Sequence, residues 1–142
     1  MEFIMENNNQ REGGEMALEK IAKENFAVWA DTLLMKDPKK VAELYSNDAT
    51  FLPTMSPDFK HGELEAEGYF KHFLEKDPEG MVIRDEVQSL GQGAYLHSGM
   101  YNFEVGKNGD RSVVEARFSF AWRKEADGKW KIIHHHSSVK PA

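Results

Sequence analysis

From Ser112 to Ser138 the chain reads SVVEARFSFAWRKEADGKWKIIHHHSS, and the architecture turns on this stretch. Ser112–Arg123 and Lys129–Ser138 are rich in β-branched and aromatic residues, with polar residues interleaved, as strands with two different faces require. Asp127-Gly128 between them is a hairpin dipeptide, because tight hairpin turns need positive φ at their centre. Working outward, Ala94–Val105 and Met81–Leu90 have the same character. Asn108-Gly109 supplies a second hairpin signal, and Gly91-Gln92-Gly93 reads as a plain turn between strands. The C-terminal half is therefore expected to be an antiparallel meander.

The N-terminal half carries the helices. Ala17, Ile21, Phe26, Trp29, Leu33 and Leu34 recur at three-to-four spacing, which predicts one long helix from Glu15 to about Lys36. Asp37-Pro38 places a capping acid before a proline at the first helical position, and Val41, Leu44 and Tyr45 give a short second helix its apolar side. Ala49–Pro53 is a short strand running into the loop Pro53-Thr54-Met55-Ser56-Pro57. Glu65–Leu74 is a third helix, stopped by Asp77-Pro78. Residues 1–14, with three consecutive Asn and a Gly pair, read as a flexible tail, and residues 15–142 as a single domain. Helices followed by consecutive antiparallel strands make a segregated α+β order. A strongly bent sheet wrapped round the long helix gives a cone whose open end could admit a small ligand.

Composition narrows the function. A length of 142 residues with 40% hydrophobic and 11% aromatic content suits one core. The formal charge of -6, without a basic patch, argues against nucleic acid and anionic lipid as partners. Zero cysteines exclude disulfides, thiolate metal sites and cysteine nucleophiles. No export signal or membrane-length apolar run is present, so cytoplasmic residence is the expectation.

Alternation sorts the last strand into Trp130, Ile132, His134, His136 and Ser138 on one side and Lys131, Ile133, His135 and Ser137 on the other. Across the Asp127-Gly128 turn, a two- or four-residue loop brings Arg117 and Ser119 to the face of His134, His136 and Ser138, and Phe118 and Phe120 to the face of Ile133. Continued over Asn108-Gly109, the polar face gains Ser98, Met100 and Asn102, and the aromatic face Tyr101 and Phe103. The polar face is expected to line a hydrated pocket. The stripe of Tyr101, Phe103, Phe118, Phe120 and Ile133 is expected on the outer sheet, buried by a homodimer or higher homo-oligomer. Three consecutive histidines invite a three-His zinc site, but alternation leaves only His134 and His136 on one side, so no metal is favoured.

Several motifs together resemble a known family. They are Phe51-Leu52-Pro53-Thr54-Met55-Ser56-Pro57, Tyr69-Phe70-x-x-Phe73-Leu74, Ala116-Arg117-Phe118-Ser119-Phe120, and Trp130-x-Ile132-x-His134-His135-His136-Ser137-Ser138. They are similar to the calcium/calmodulin-dependent kinase II association-domain-like proteins, and the HHHSS ending resembles the iota class of carbonic anhydrase. The resemblance spans about Glu15 to Pro141. It implies the cone-shaped nuclear transport factor 2-like, or cystatin-like, fold and reversible hydration of carbon dioxide to bicarbonate. Metal-free action is implied, with manganese claimed for some members and zinc the other ion to consider. It also implies a threonine, a tyrosine and a serine on bicarbonate, which map onto Thr54, Tyr69 and Ser138, with Ser137 as the fallback. On this reading Arg117 and Ser119 help bind substrate, and His134 or His136 accepts the proton. Two alternatives stand beside it. One is a polyketide-cyclase or ketosteroid-isomerase-like enzyme using Glu115 as base; the other is a non-catalytic association module.

Overall fold

The computed structural model describes residues 2–142, with side chains described from residue 14 onward. The long helix α1 spans Glu2–Leu34, and the segment 1–14 expected as a tail has its side chains almost wholly outside the described part. Ala22, Phe26, Trp29 and Leu33 are buried along one face of α1. Ala17 and Leu34, expected on that face, are exposed. Asp37 caps the short helix α2 (Pro38–Ala42), its carboxylate accepting from the Lys39 backbone N–H at 3.0 Å, while Pro38 sits where no helical N–H is needed. Tyr45 does not extend this helix. It opens strand β1 (Tyr45–Leu52), with both ends of the pattern Tyr45-x-x-x-Ala49-x-Phe51 in the core.

After β1 come the two-residue β2 (Lys60–His61), helix α3 (Gly62–Phe73) and the strands β3 (Glu79–Ser89), β4 (Ala94–Val105), β5 (Ser112–Lys124) and β6 (Trp130–Val139). They form one curled six-stranded sheet in the order β2-β1-β6-β5-β4-β3. The α+β, nuclear transport factor 2-like architecture is as the sequence predicts, with one difference. The sheet is mixed, because β1 runs parallel to β6, with Thr50 opposite His134 and Leu52 opposite His136. Thus α3 and the meander lie between the two parallel strands in sequence, and the crossover carries the Pro53–Pro57 loop onto the end of β6.

The turns are longer than the dipeptides suggest. Val105 pairs with Ser112 and Lys124 with Trp130, leaving six and five residues in the loops respectively. Arg111 closes the first by donating to the carbonyls of Gly106, Asp77 and Glu104. In β3 a bulge between Val82 and Arg84 bends the edge strand over Gly99, where a Cβ would lie 2.0 Å from the Arg84 carbonyl oxygen, so only glycine admits this close approach.

A second bulge governs the interior. Trp122 pairs with Ile132, yet Ala121 pairs with His134, so β6 spends three residues where β5 spends two. Ile133 takes up the extra step. Ile132 therefore faces the core at one end of β6, and His135 and Ser137 face it at the other. The sorting of Phe118 and Phe120 against Arg117 and Ser119 matches the register, with Phe120 opposite His135 and Arg117 opposite Ser138. Which side looks inward is the reverse of the expectation. Tyr101, Phe103, Phe118 and Phe120 are at most 4% exposed and pack beneath α1, so the stripe assigned to an outer dimer interface is core. Phe26 and Trp29 supply the helix side of that packing, Trp29 meeting Phe120 at 5.2 Å between ring centroids.

Candidate functional site

Because β6 has shifted phase at Ile133, the middle histidine of the triplet is the one inside. His135 is 2% exposed and lies flat between Phe120 and Phe51, at 4.0 and 4.8 Å between centroids. A phenol approaches each edge of its ring: Tyr45 Oη is 2.8 Å from Nδ1, and Tyr101 Oη is 3.2 Å from Nε2. Tyr101 also donates to Ser137, Ser137 and Thr54 share a hydrogen bond, and Trp29 Nε1 donates to Tyr45 Oη at 3.2 Å. On the α3 side, Tyr69 donates to the Thr54 carbonyl at 3.0 Å. The result is a continuous chain of polar groups through an aromatic interior, each with a partner, as burial demands.

The cavity at the end of this chain is about 10 Å³ and is lined by Thr54, Ser137, Tyr101, Tyr69 and His135 among aromatic rings. That is about the space one water needs, and far below the ~300 Å³ at which pockets for organic ligands begin. A groove of about 450 Å³ shares Thr54, Tyr69 and Phe73 with the cavity and carries Lys60, His72 and Lys76 on its open side.

Burial sets the protonation states. Desolvation pushes His135 well below the usual imidazole range, with the charges of His134 and His136 adding to it, so it is neutral at pH 7. Desolvation also raises the phenols of Tyr45, Tyr101 and Tyr69, which remain protonated donors.

The structure separates the expected site residues into two groups. Thr54 and Tyr69 line the cavity, Thr54 being 6% exposed. His134, His136, Ser138, Arg117 and Ser119 lie on the outer sheet face instead. His134 is half-buried there, with Nδ1 2.6 Å from Thr50 Oγ1, and burial again lowers its pKa. His136 and Arg117 are exposed. Ser137, not Ser138 as expected, lines the cavity, and Arg117, Ser119, His134 and His136 do not. Glu115, the alternative base, is exposed beside Lys140 at 3.9 Å. Sequence reasoning missed His135, Tyr45 and Tyr101 as polar members of the site. Tyr101 was visible only as one more aromatic in the stripe.

Manganese and zinc do not fit this interior, where a single neutral imidazole has both ring nitrogens engaged by phenols and no carboxylate is present. Among the described residues no group of three or more His, Cys, Asp or Glu side chains could hold a metal ion.

A family model, the calcium/calmodulin dependent protein kinase II association domain, matches residues 20–141, which takes in every residue of the buried chain. The chain belongs to that family. A solved association domain of this family, so described as a candidate, from Xanthomonas campestris is 39% identical over 86% of each chain, with a TM-score of 0.81. A structure from Streptomyces avermitilis described as a candidate dehydratase of the NTF2-like family is 15% identical, covering 91% of this chain and 99% of that one, with a TM-score of 0.76. A ketosteroid isomerase-like protein from Erwinia carotovora atroseptica is 14% identical, covering 84% and 94% of the two chains, with a TM-score of 0.69. The last two share the fold alone. No curated protein matches the chain. As an association domain, this chain has its hydroxyl chain seated between the long helix and the inner sheet face, and among its described residues no helix is long and apolar enough to cross a membrane.

Proposed function

We propose that this association-domain family member is an enzyme that adds water to a very small substrate, carbon dioxide, and removes it again from bicarbonate. The observation that carries the reading is the set of polar groups gathered on one small cavity, Thr54, Ser137, Tyr101 and Tyr69 beside the neutral His135, with a groove sharing Thr54 and Tyr69 next to it. Hydration puts negative charge on the carbon dioxide oxygens, and a fixed hydroxyl donor, here Thr54, in a dry, aromatic surround favours that charge without reorganising. Each such donor is typically worth ~10² to 10³ in rate. The resemblance implies a threonine, a tyrosine and a serine on bicarbonate, and Thr54, Tyr69 and Ser137 lie together on one cavity, which supports the reading. The proton that the attacking water loses passes to solvent water in the adjoining groove, which shares Thr54, Tyr69 and Phe73 with the cavity.

The second reading, dehydration or isomerisation of a larger organic ligand, is favoured by the fold shared with the NTF2-like dehydratase candidate and the ketosteroid isomerase-like protein. Against it, a ring-sized ligand would have to displace Tyr69 and Phe73, and the cavity holds no carboxylate base. The family's name speaks of association. A homo-oligomer of this chain would use a surface other than the buried aromatic stripe.

Stopped-flow acidification by purified, chelator-treated protein tests the reading. Hydration above the uncatalysed rate, unchanged by chelation, is expected. Folded protein at the uncatalysed rate refutes carbon dioxide as substrate, and activity lost on chelation and restored by one metal refutes metal-free action.

A further inference from the structure

We infer that Tyr45 sets the direction of the hydrogen bonds between itself and the cavity, holding His135 as the Nε2–H tautomer and leaving the Thr54 hydroxyl proton available on the cavity wall. The inference deepens the proposed function and takes only the location of the cavity from it.

The argument begins at the far end of the chain, away from the cavity. The Trp29 indole is a donor only, so Tyr45 Oη accepts from it. Among the described residues the one other partner of that hydroxyl is His135 Nδ1, at 2.8 Å. A phenol has one proton. If it did not go to Nδ1 it would be stranded in a wholly buried site, since Tyr45 is 1% exposed. Nδ1 is therefore the acceptor. A neutral imidazole with an acceptor at Nδ1 carries its proton on Nε2, and burial keeps His135 neutral.

From there the protons run toward the cavity. Nε2–H donates to Tyr101 Oη, so Tyr101 spends its own proton on Ser137. Ser137, already accepting, passes its proton to Thr54 Oγ1. Thr54 then keeps its own proton on the cavity wall, where a ligand and the nearby Tyr101 oxygen are the acceptors in reach. The reverse arrangement keeps every intermediate bond but makes Nδ1–H donate to Tyr45, whose hydroxyl proton then has nowhere to go. Tyr45 does not line the cavity, so it is a positioning residue. Its effect is to present Thr54 as a hydrogen-bond donor, which selects ligands that offer an oxygen lone pair, such as a carboxylate-type anion or carbon dioxide itself. His135 is on this account a support for that donor and not the base.

The test is ¹⁵N NMR of the histidine side chains at neutral pH, with His135 assigned by its loss in His135→Phe. Wild-type protein is expected to show His135 with an unprotonated Nδ1 and a protonated Nε2. Thr54→Val, which cuts the chain at the cavity end, should leave that tautomer unchanged, because the direction is set at Tyr45. Tyr45→Phe removes the pin, and the Nε2–H to Nδ1–H ratio should fall by about tenfold or more, the factor that one stranded buried group represents. Protonated Nδ1 in the wild type, or a mixture, overturns the inference even if Tyr45→Phe fails to fold. A tautomer that flips in Thr54→Val and holds in Tyr45→Phe overturns it as well. None of these readouts involves carbon dioxide, so failure of the hydration assay and failure of the tautomer are told apart.

Discussion

Acid should unfold this protein through His135 before it does so through the carboxylates. The side chain is 2% exposed between two phenyl rings, and burial depresses its pKa well below the ordinary 6.5. In the unfolded chain it titrates normally. Below pH 6.5 the unfolded state therefore binds a proton that the folded state refuses, and stability falls with pH from 6.5 downward until the folded pKa is reached. Above pH 6.5 neither state carries the proton, and the group exacts no penalty. One such group costs about 1.4 kcal/mol per pH unit across the window. His134 shifts in the same direction but is half in solvent and bonded to Thr50, so its share is smaller. Asp48, lowered to about 2 by the Arg123 hydrogen bonds, loses its stabilisation only below its unfolded value of 3.8, outside this range. Urea unfolding at several pH values between about 6.5 and 5 measures the slope, with His135→Phe as the comparison. Phenylalanine suits the stack between Phe51 and Phe120 but does not titrate, so the variant's slope should be shallower by about 1.4 kcal/mol per unit, whatever its absolute stability. Equal slopes in wild type and variant would refute the claim that a neutral, buried His135 holds the centre of the fold.

Ser137→Ala should lower carbon dioxide hydration by about tenfold or more while Ser138→Ala leaves it within about twofold, since Ser137 joins Thr54 and Tyr101 and Ser138 lies on the outer face. Paired stopped-flow measurements check this. Phe120→Glu should unfold the protein, by several kcal/mol in denaturant titration, and should not yield a folded separated subunit, because Phe120 is fully buried beneath Trp29.

The sequence made the fold legible where local chemistry and tertiary demand agree. Asp37-Pro38 suits the start of a helix, and the spacing of Phe26, Trp29 and Leu33 marks one buried face, although Ala17 and Leu34 of the same pattern are exposed. Alternation in β5 likewise separated Phe118 and Phe120 from Arg117 and Ser119. Alternation, however, labels two faces without naming the inner one. Read for polarity alone, Arg117 and the flanking histidines seemed to want a pocket and the aromatics seemed to want a partner, yet α1 was itself the partner. The helix brings Phe26 and Trp29 down onto those rings, and no single-strand argument contains that contact. The parallel pairing of β1 with β6 was equally hidden, since it joins segments about 85 residues apart with no turn between them to announce it.

The bulge at Ile133 is the point where fold and candidate function meet. Without it, β6 would keep one phase from Trp130 to Val139, and Ile132 in the core would require His134, His136 and Ser138 to point inward with it. Two histidines and a serine would then face α1, and the histidine between the phenols would be outside. With one residue spent at Ile133, Ile132 still fills the core opposite Trp122, while His135 and Ser137 replace their neighbours opposite Phe120 and Phe118. Those positions place an imidazole between Tyr45 and Tyr101 and a hydroxyl beside Thr54. A single extra residue thus decides which of two adjacent serines, and which of three histidines, can belong to the cavity. It leaves almost no trace in the residue types, because Ile132 and Ile133 are the same side chain.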